Sequence, residues 1–253
     1  CWGANAAGEL GNGSTTRSTT PVVATGLVMV GDLAAGENHT CALRTNGSSR
    51  CWGANSKGQL GNGTTTPSST SVAVATITGV VDLALGGNHS CARTATGTAK
   101  CWGANGTGQL GVSGNTNRTT PVAAGTLSGL VLLTAGGGHT CGLFANGSAK
   151  CWGANTRGQL GNGSLTTGPS PVVVTGLSAA IDLAAGENHT CALRSTGAVK
   201  CWGANSNGQL GNGSMTDSPS PVGVIGVTIG SAITAGDAHS CALLSDGTRR
   251  CWG

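Results

Sequence analysis

Tyrosine is absent from this sequence, phenylalanine occurs once, charged residues make up 9% and only 7 prolines are present. Each shortage excludes something. No apolar run approaches the roughly 20 residues that a membrane-spanning helix needs. Arg17, Arg44, Arg50, Lys57, Arg93 and Lys100 stand singly and only Arg249 and Arg250 touch, so the cationic cluster of a nucleic-acid surface is missing. The 46 glycines do not recur at every third position, and with so little proline the chain is not collagen-like. A hydrophobic fraction of 38% with a formal charge of +4 separates it from disordered chains, which combine low hydrophobicity with high net charge.

What is present is a repeat. Cys1-Trp2-Gly3-Ala4-Asn5 returns at Cys51, Cys101, Cys151 and Cys201, and Cys251-Trp252-Gly253 ends the sequence. The repeats 1–50, 51–100, 101–150, 151–200 and 201–250, with 251–253 opening a further one, form a single array over 1–253 without insertion or deletion. Within a unit, Pro21 to Thr25, Val30 to Ala35, His39 to Arg44 and Ser48 to Trp52 read as short strands. Four strands in a unit of this length suit a propeller blade, whose apolar faces are hidden by its neighbours. The predicted fold is therefore all-β, a β-propeller of four-stranded blades with one blade per repeat. Cys1 falls in the middle of a hairpin, and in a five-unit ring Cys251–Gly253 would compete with Cys1–Gly3 for one place. The expected geometry is thus part of a longer ring or of an open array.

The loops Thr45-Asn46-Gly47, Ala95-Thr96-Gly97, Ala145-Asn146-Gly147, Ser195-Thr196-Gly197 and Ser245-Asp246-Gly247 keep only the glycine. That is the pattern of a three-residue hairpin loop closed by a left-handed glycine bulge. Residue 44 then faces residue 48, and Cys41 faces Cys51 at a non-hydrogen-bonded pair, where the strands come closest. The same register couples Cys91 with Cys101, Cys141 with Cys151, Cys191 with Cys201 and Cys241 with Cys251 as disulfides, leaving Cys1. Two alternatives stand beside this pairing. Free buried thiols would suit a reducing compartment, and zinc would need four ligands where each unit offers Cys41, Cys51 and His39.

The run Gly-x-x-His-Thr/Ser-Cys-Ala-Leu, a turn ending in glycine, then Cys-Trp-Gly-x-Asn-x-x-Gly-Gln-Leu-Gly resembles the repeat of the regulator of chromosome condensation family. Gly36 to Leu43 with Cys51 to Gly61, and Gly186 to Leu193 with Cys201 to Gly211, are two instances. The resemblance implies a propeller of four-stranded blades. It leaves activity open, because members include a chromatin-bound exchange factor for a small GTPase, ubiquitin-ligase adaptors and secreted bacterial propellers that inhibit β-lactamases. The cysteine pairing and low charge are closest in style to the secreted bacterial members.

His39, His89, His139, His189 and His239 are the only histidines, one per unit. A metal or pH-sensing ring is one reading; a structural side chain that satisfies backbone groups is the other, favoured by its presence in every unit. Trp2, Trp52, Trp102, Trp152 and Trp202 read in the same way as blade-to-blade core with a hydrogen-bonded indole rather than as an aromatic binding face. No nucleophile stands with a base and an orienting partner, and no phosphate loop or paired carboxylates occur, so neither catalytic residues, metal nor cofactor are assigned. Asn-x-Ser/Thr, as at Asn12, Asn38, Asn46, Asn62, Asn88 and Asn105, marks candidate glycosylation as well as ordinary turn chemistry.

Variation concentrates at positions 6 and 7 and in loops 13–20 and their copies. Lys57, Thr107, Arg157, Asn207, Arg17 and Arg118 are the candidate partner-binding loop residues. The expectation is a secreted or cell-surface, bacterial, non-catalytic binding or adhesion module with a protein or glycan partner. Assembly into a surface filament or sheath is the alternative, and an intracellular adaptor or exchange factor stands third. No nucleic-acid partner is expected.

Overall fold

The computed structural model describes residues 1–253 as strands and turns with no helix. The chain divides into two compact units, Cys1–Gly106 with Gly114–Ser128, and Thr107–Ser113 with Gly129–Gly253. In the first unit, β1 (Val30–Ala35), β2 (His39–Arg44), β3 (Ser49–Gly53) and β4 (Ser68–Ala73) form the first sheet. The second sheet holds β5 (Val80–Leu85), β6 (His89–Thr94), β7 (Ala99–Gly103) and β8 (Arg118–Ala123). In the second unit, β9 (Leu130–Ala135), β10 (His139–Phe144), β11 (Ala149–Gly153) and β12 (Gly168–Val173) form the third sheet. The fourth holds β13 (Ala180–Ala185), β14 (His189–Arg194), β15 (Val199–Gly203) and β16 (Ser218–Gly223). The fifth is three-stranded, with β17 (Gly230–Ala235), β18 (Ser240–Leu244) and β19 (Arg249–Trp252).

A sheet is not one repeat. Its outer strand comes from the repeat that follows, since Cys51 pairs with Val72 and Gly53 with Ser68. The predicted strand Pro21–Thr25 is absent, and Gly3 makes only a lone bridge to Ser18. Cys1–Gly3 has no hairpin strand beside it, and a single short stretch does not sustain a ladder. The counterparts at β4, β8, β12 and β16 do form strands because a finished hairpin offers them an edge.

The hairpins close as the loop chemistry requires. Arg44 N–H donates to Ser48 O at 2.9 Å and Gly47 N–H to Arg44 O at 2.9 Å. Gly47, Gly97, Gly147, Gly197 and Gly247 have φ between 72° and 83°, a region where a Cβ is penalised. Cys41 consequently lies opposite Cys51, with Cα atoms 4.1 Å apart and the two sulfurs joined; the other four hairpins repeat this.

Asn55 organises the loop that follows the first hairpin. Its Oδ1 accepts Leu60 N–H at 3.0 Å while its Nδ2 donates to Thr64 O at 3.1 Å and Thr66 O at 3.0 Å. A buried amide thus replaces the backbone partners that an irregular loop lacks. Leu60, placed by this clamp, is fully buried.

The core lies between sheets. In the first unit Cys41, Leu43 and Cys51 meet Val80, Ala92 and Trp102. In the second, Cys141, Leu143 and Cys151 meet Ala180, Ala192 and Trp202, and Cys191, Leu193 and Cys201 meet Ala242 and Leu244. The sulfurs of Cys41–Cys51, Cys141–Cys151 and Cys191–Cys201 are therefore sealed beneath the next sheet of their own unit, whereas Cys241 is half-buried and Cys251 exposed. In dilute solution, limiting reductant under native conditions is expected to open Cys241–Cys251 before the other four pairs, because exchange needs access for the attacking thiolate. Peptide mapping after alkylation reads this; equal labelling of all ten cysteines would overturn it.

Candidate functional site

Two places merit examination, the histidine joint between sheets and the exposed loops. At the joint in the first unit, Trp102 Nε1–H donates to Gln59 O at 2.8 Å, Ser90 Oγ–H donates to the same oxygen at 2.9 Å, and His39 Nε2 lies 2.8 Å from Ser90 Oγ. The second unit repeats this with Trp202, Thr190, Gln159 and His139, and again with Trp252, Ser240, Gln209 and His189.

A hydrogen-bonded His–Ser pair has the outline of a base beside a nucleophile. The direction of the bonds excludes that role here. Ser90 spends its proton on the carbonyl of Gln59, so His39 must donate from Nε2 and has no free lone pair there to accept the serine proton. Both residues are buried, at 1% and 0% exposure, which shuts substrate out. His39 Nδ1 and His189 Nδ1 have no hydrogen-bond partner. Protonating them would place an unpaired charge in the core, and burial accordingly lowers His39 to about 3, with the charge of His89 adding to the effect, and lowers His89 to about 4. His189 falls to about 4, by burial first and by the charge of His239 second. No group of three or more His, Cys, Asp or Glu side chains is placed to hold a metal.

The residues at the two ends of the array depart from their copies. Trp52, Trp102, Trp152 and Trp202 are fully buried, whereas Trp2 is 67% exposed. His39, His89, His139 and His189 are buried and His239 is exposed. Trp2 and His239 are therefore not core residues as their repeat positions predict. The joint takes its hydroxyl from a residue 51 positions further on.

Of the predicted loop residues, Lys57, Asn207 and Arg17 are exposed. Arg157 and Asp217 are brought together at 3.2 Å, linking the loops of adjacent repeats. Thr107 is not free for a partner, because its hydroxyl donates to Gly138 O at 2.9 Å. Arg118 is not in a loop: it opens β8 and pairs with Gly103. Asn105 is fully buried, with its amide donating to Gly114 O at 2.7 Å, so it cannot carry a glycan; Asn46 in its hairpin loop is exposed. Two residues escaped the sequence reading. Leu165 is 57% and Met215 66% exposed, at a loop position where the other repeats have Thr15, Thr65 and Asn115. That exchange of polar for apolar was the available signal. The open cavity lined by Leu160, Asn162, Pro169 and Val172 measures about 210 Å³, below the roughly 300 Å³ at which small-molecule pockets begin.

Comparison with known proteins places this arrangement. The RCC1-like domain matches residues 1–231 and the regulator of chromosome condensation (RCC1) repeat matches residues 231–253. No curated protein sequence matches. Among solved structures, human WBSCR16 is similar at 23% identity and a TM-score of 0.83, covering 95% of this chain and 65% of that one. Yeast RCC1 (Prp20), solved with Kap60, is similar at 24% identity and a TM-score of 0.79, covering 88% and 56%. The ectodomain of the Physcomitrella patens receptor kinase CR4 is similar at 28% identity and a TM-score of 0.60, covering 94% and 53%. The chain thus spans between 53% and 65% of the length of these structures.

Proposed function

This chain belongs to the family of RCC1-like domains, with their β-propeller fold, and from that premise we propose that it is a non-catalytic binding module of an oxidising, extracellular setting. The observation that carries the reading is where the repeats differ. The joints, the asparagine clamps and the hairpin glycines recur unit after unit, while Lys57, Arg157, Leu165, Asn207 and Met215 stand on exposed loops and change from unit to unit. A scaffold held constant beneath variable loops is the arrangement of a recognition surface. The cysteine pairs support the compartment, since disulfides persist where the redox poise is oxidising. The CR4 ectodomain, an extracellular segment of a receptor kinase, supports the same setting. The inward bond direction at each His–hydroxyl pair and the small cavity support a binding role over catalysis.

Intact-mass analysis after alkylating the native protein tests the setting. One label, on Cys1, is expected before reduction, and eleven after it. Eleven labels on the native protein would return the cysteines to a reduced core and remove the extracellular reading. The loops are tested on a protein and glycan array, comparing the natural chain with a variant carrying Lys57→Ala, Arg157→Ala, Leu165→Thr and Met215→Thr. Loss of the hits with unchanged melting supports the loop surface; unchanged hits would place recognition elsewhere.

A further inference from the structure

An asparagine at a hairpin tip has an ordinary structural duty, and the tips of this chain show how little of the side chain it needs. At the first tip Asn46 Oδ1 accepts Ser48 N–H at 3.1 Å and Ser48 Oγ–H at 2.7 Å. At the third, Asn146 Oδ1 accepts Ser148 N–H at 3.0 Å and Ser148 Oγ–H at 2.7 Å. Asp246 closes the fifth tip in the same way, accepting Thr248 N–H at 2.9 Å and Thr248 Oγ1–H at 2.7 Å. The turn thus asks for one side-chain oxygen, which a carboxylate supplies as well as an amide. Both asparagines are exposed, and the Nδ2 of each donates to no group of the protein. Asn55, by contrast, uses both ends of its amide.

Asn46 and Asn146 each open an Asn-x-Ser/Thr triplet, of which the sequence holds eleven. Glycan transfer to such a triplet needs access to the amide nitrogen and to the hydroxyl two residues on. The other nine withhold one or both. Asn105 is buried with its Nδ2 on Gly114 O. Beyond Asn38, Asn88 and Asn188 the hydroxyls are spent, Thr40 donating to Glu9 O, Ser90 to Gln59 O and Thr190 to Gln159 O. Asn12, Asn62, Asn162 and Asn212 are half-buried, and the Oδ1 of the last three accepts a clamp amide at 3.4, 3.4 and 3.2 Å. Asn117 is exposed, but its Oδ1 accepts Asn105 N–H at 3.0 Å. Its Thr119 is packed so closely on Gly58 that a methyl there would lie 2.8 Å from the threonine Cα.

We propose that Asn46 and Asn146 are sites of N-linked glycosylation, an inference that rests on the extracellular setting proposed above. The substrate is a lipid-diphosphate-linked oligosaccharide. Asparagine Nδ2 attacks C1 of its first sugar; the N–C1 bond forms as the C1–O bond breaks, the lipid diphosphate leaves with the electron pair, and one Nδ2 proton passes to a base of the transferase. Oδ1 is untouched, so Ser48 and Ser148 go on closing their turns. Each glycan then stands at the tip of a hairpin locked by Cys41–Cys51 or Cys141–Cys151.

Glycopeptide mass spectrometry of the protein from the cells that make it tests the proposal, with fragmentation that localises the sugar to one side chain. Saccharide is expected on Asn46 and Asn146 and on none of the other nine. Ser48→Ala is expected to abolish it at Asn46 and leave it at Asn146, while residue 48 keeps its N–H bond to Asn46 Oδ1. Asn46→Asp with Asn146→Asp is expected to remove all glycan mass yet melt with the deglycosylated natural chain, since Asp246 shows that a carboxylate closes the turn. Either asparagine bare in a chain whose five disulfides are formed overturns its assignment and leaves the extracellular reading standing. Reduced cysteines would remove that reading and the glycans with it. Sugar on Thr45 or Ser48 instead, or glycan retained by the double aspartate variant, also overturns the proposal.

Discussion

Lowering the pH from 7 to 5 is expected to remove about 6 kcal/mol of stability through three buried histidines. His39 is held near 3 and His89 and His189 near 4, against about 6.5 in an unfolded chain. Folded-state values below the unfolded value mean that the native protein refuses protons that the unfolded chain accepts. The stability is whole above pH 6.5 and is lost as pH falls towards 4, at about 1.4 kcal/mol per pH unit per histidine. Three such groups acting over 1.5 pH units approach the total stability of an ordinary domain, roughly 5–15 kcal/mol. Asp182 acts in the opposite sense, since burial raises its carboxyl and the folded state then gains protons first; one half-buried carboxylate offsets only a part. Urea midpoints at pH 7.5, 6 and 5 measure the effect, and His39→Gln, which keeps an N–H donor without a titrating group, should reduce the slope by about a third. Midpoints unchanged between pH 7.5 and 5 would show that the histidines are hydrated in solution.

Gly161→Ala is expected to cost about 3–5 kcal/mol, while Gly163→Ala two residues away costs about 1 kcal/mol. Both glycines have positive φ, 68° and 79°, so the backbone strain is shared. The difference is what the new methyl meets. At Gly161 it lies 2.7 Å from Trp202 Nε1 and 2.8 Å from Cδ1, whereas at Gly163 only Ser220 Oγ is near, at 3.7 Å. The fully buried indole cannot retreat, and moving it breaks its 2.9 Å bond to Gln159 O, which leaves a buried donor unpaired at about 1–3 kcal/mol. Thermal melts of the two variants side by side provide the check. Equal losses would mean that the sheets part readily enough to admit a methyl, contrary to a close-packed joint.

Much of this was legible in the sequence because it is local. Gly47 needs its left-handed turn whatever surrounds it, and the three-residue loop sets residue 44 against residue 48, which carries Cys41 to Cys51. The constant period announced stacked units, and the run Gly-x-x-His-Thr/Ser-Cys with Cys-Trp-Gly-x-Asn carried the family. The exposed variable residues Lys57, Asn207 and Arg17 were also readable, because loops between glycine-marked turns stay in solvent.

What only the tertiary structure decided depends on partners far along the chain. That a sheet borrows its outer strand from the next repeat, that Arg118 lies in that strand, and that Thr107 is tied to Gly138 follow from how the loop after each hairpin folds back. The histidines needed the same knowledge. Their sequence context is similar in every unit, but it does not show that His39 is a buried donor, because the hydroxyl that completes the joint comes from the neighbouring sheet. Local chemistry sets turns and register within a hairpin, where few arrangements compete. Burial, bond direction and proton affinity are properties of the interface between sheets, and they exist only once two sheets have met.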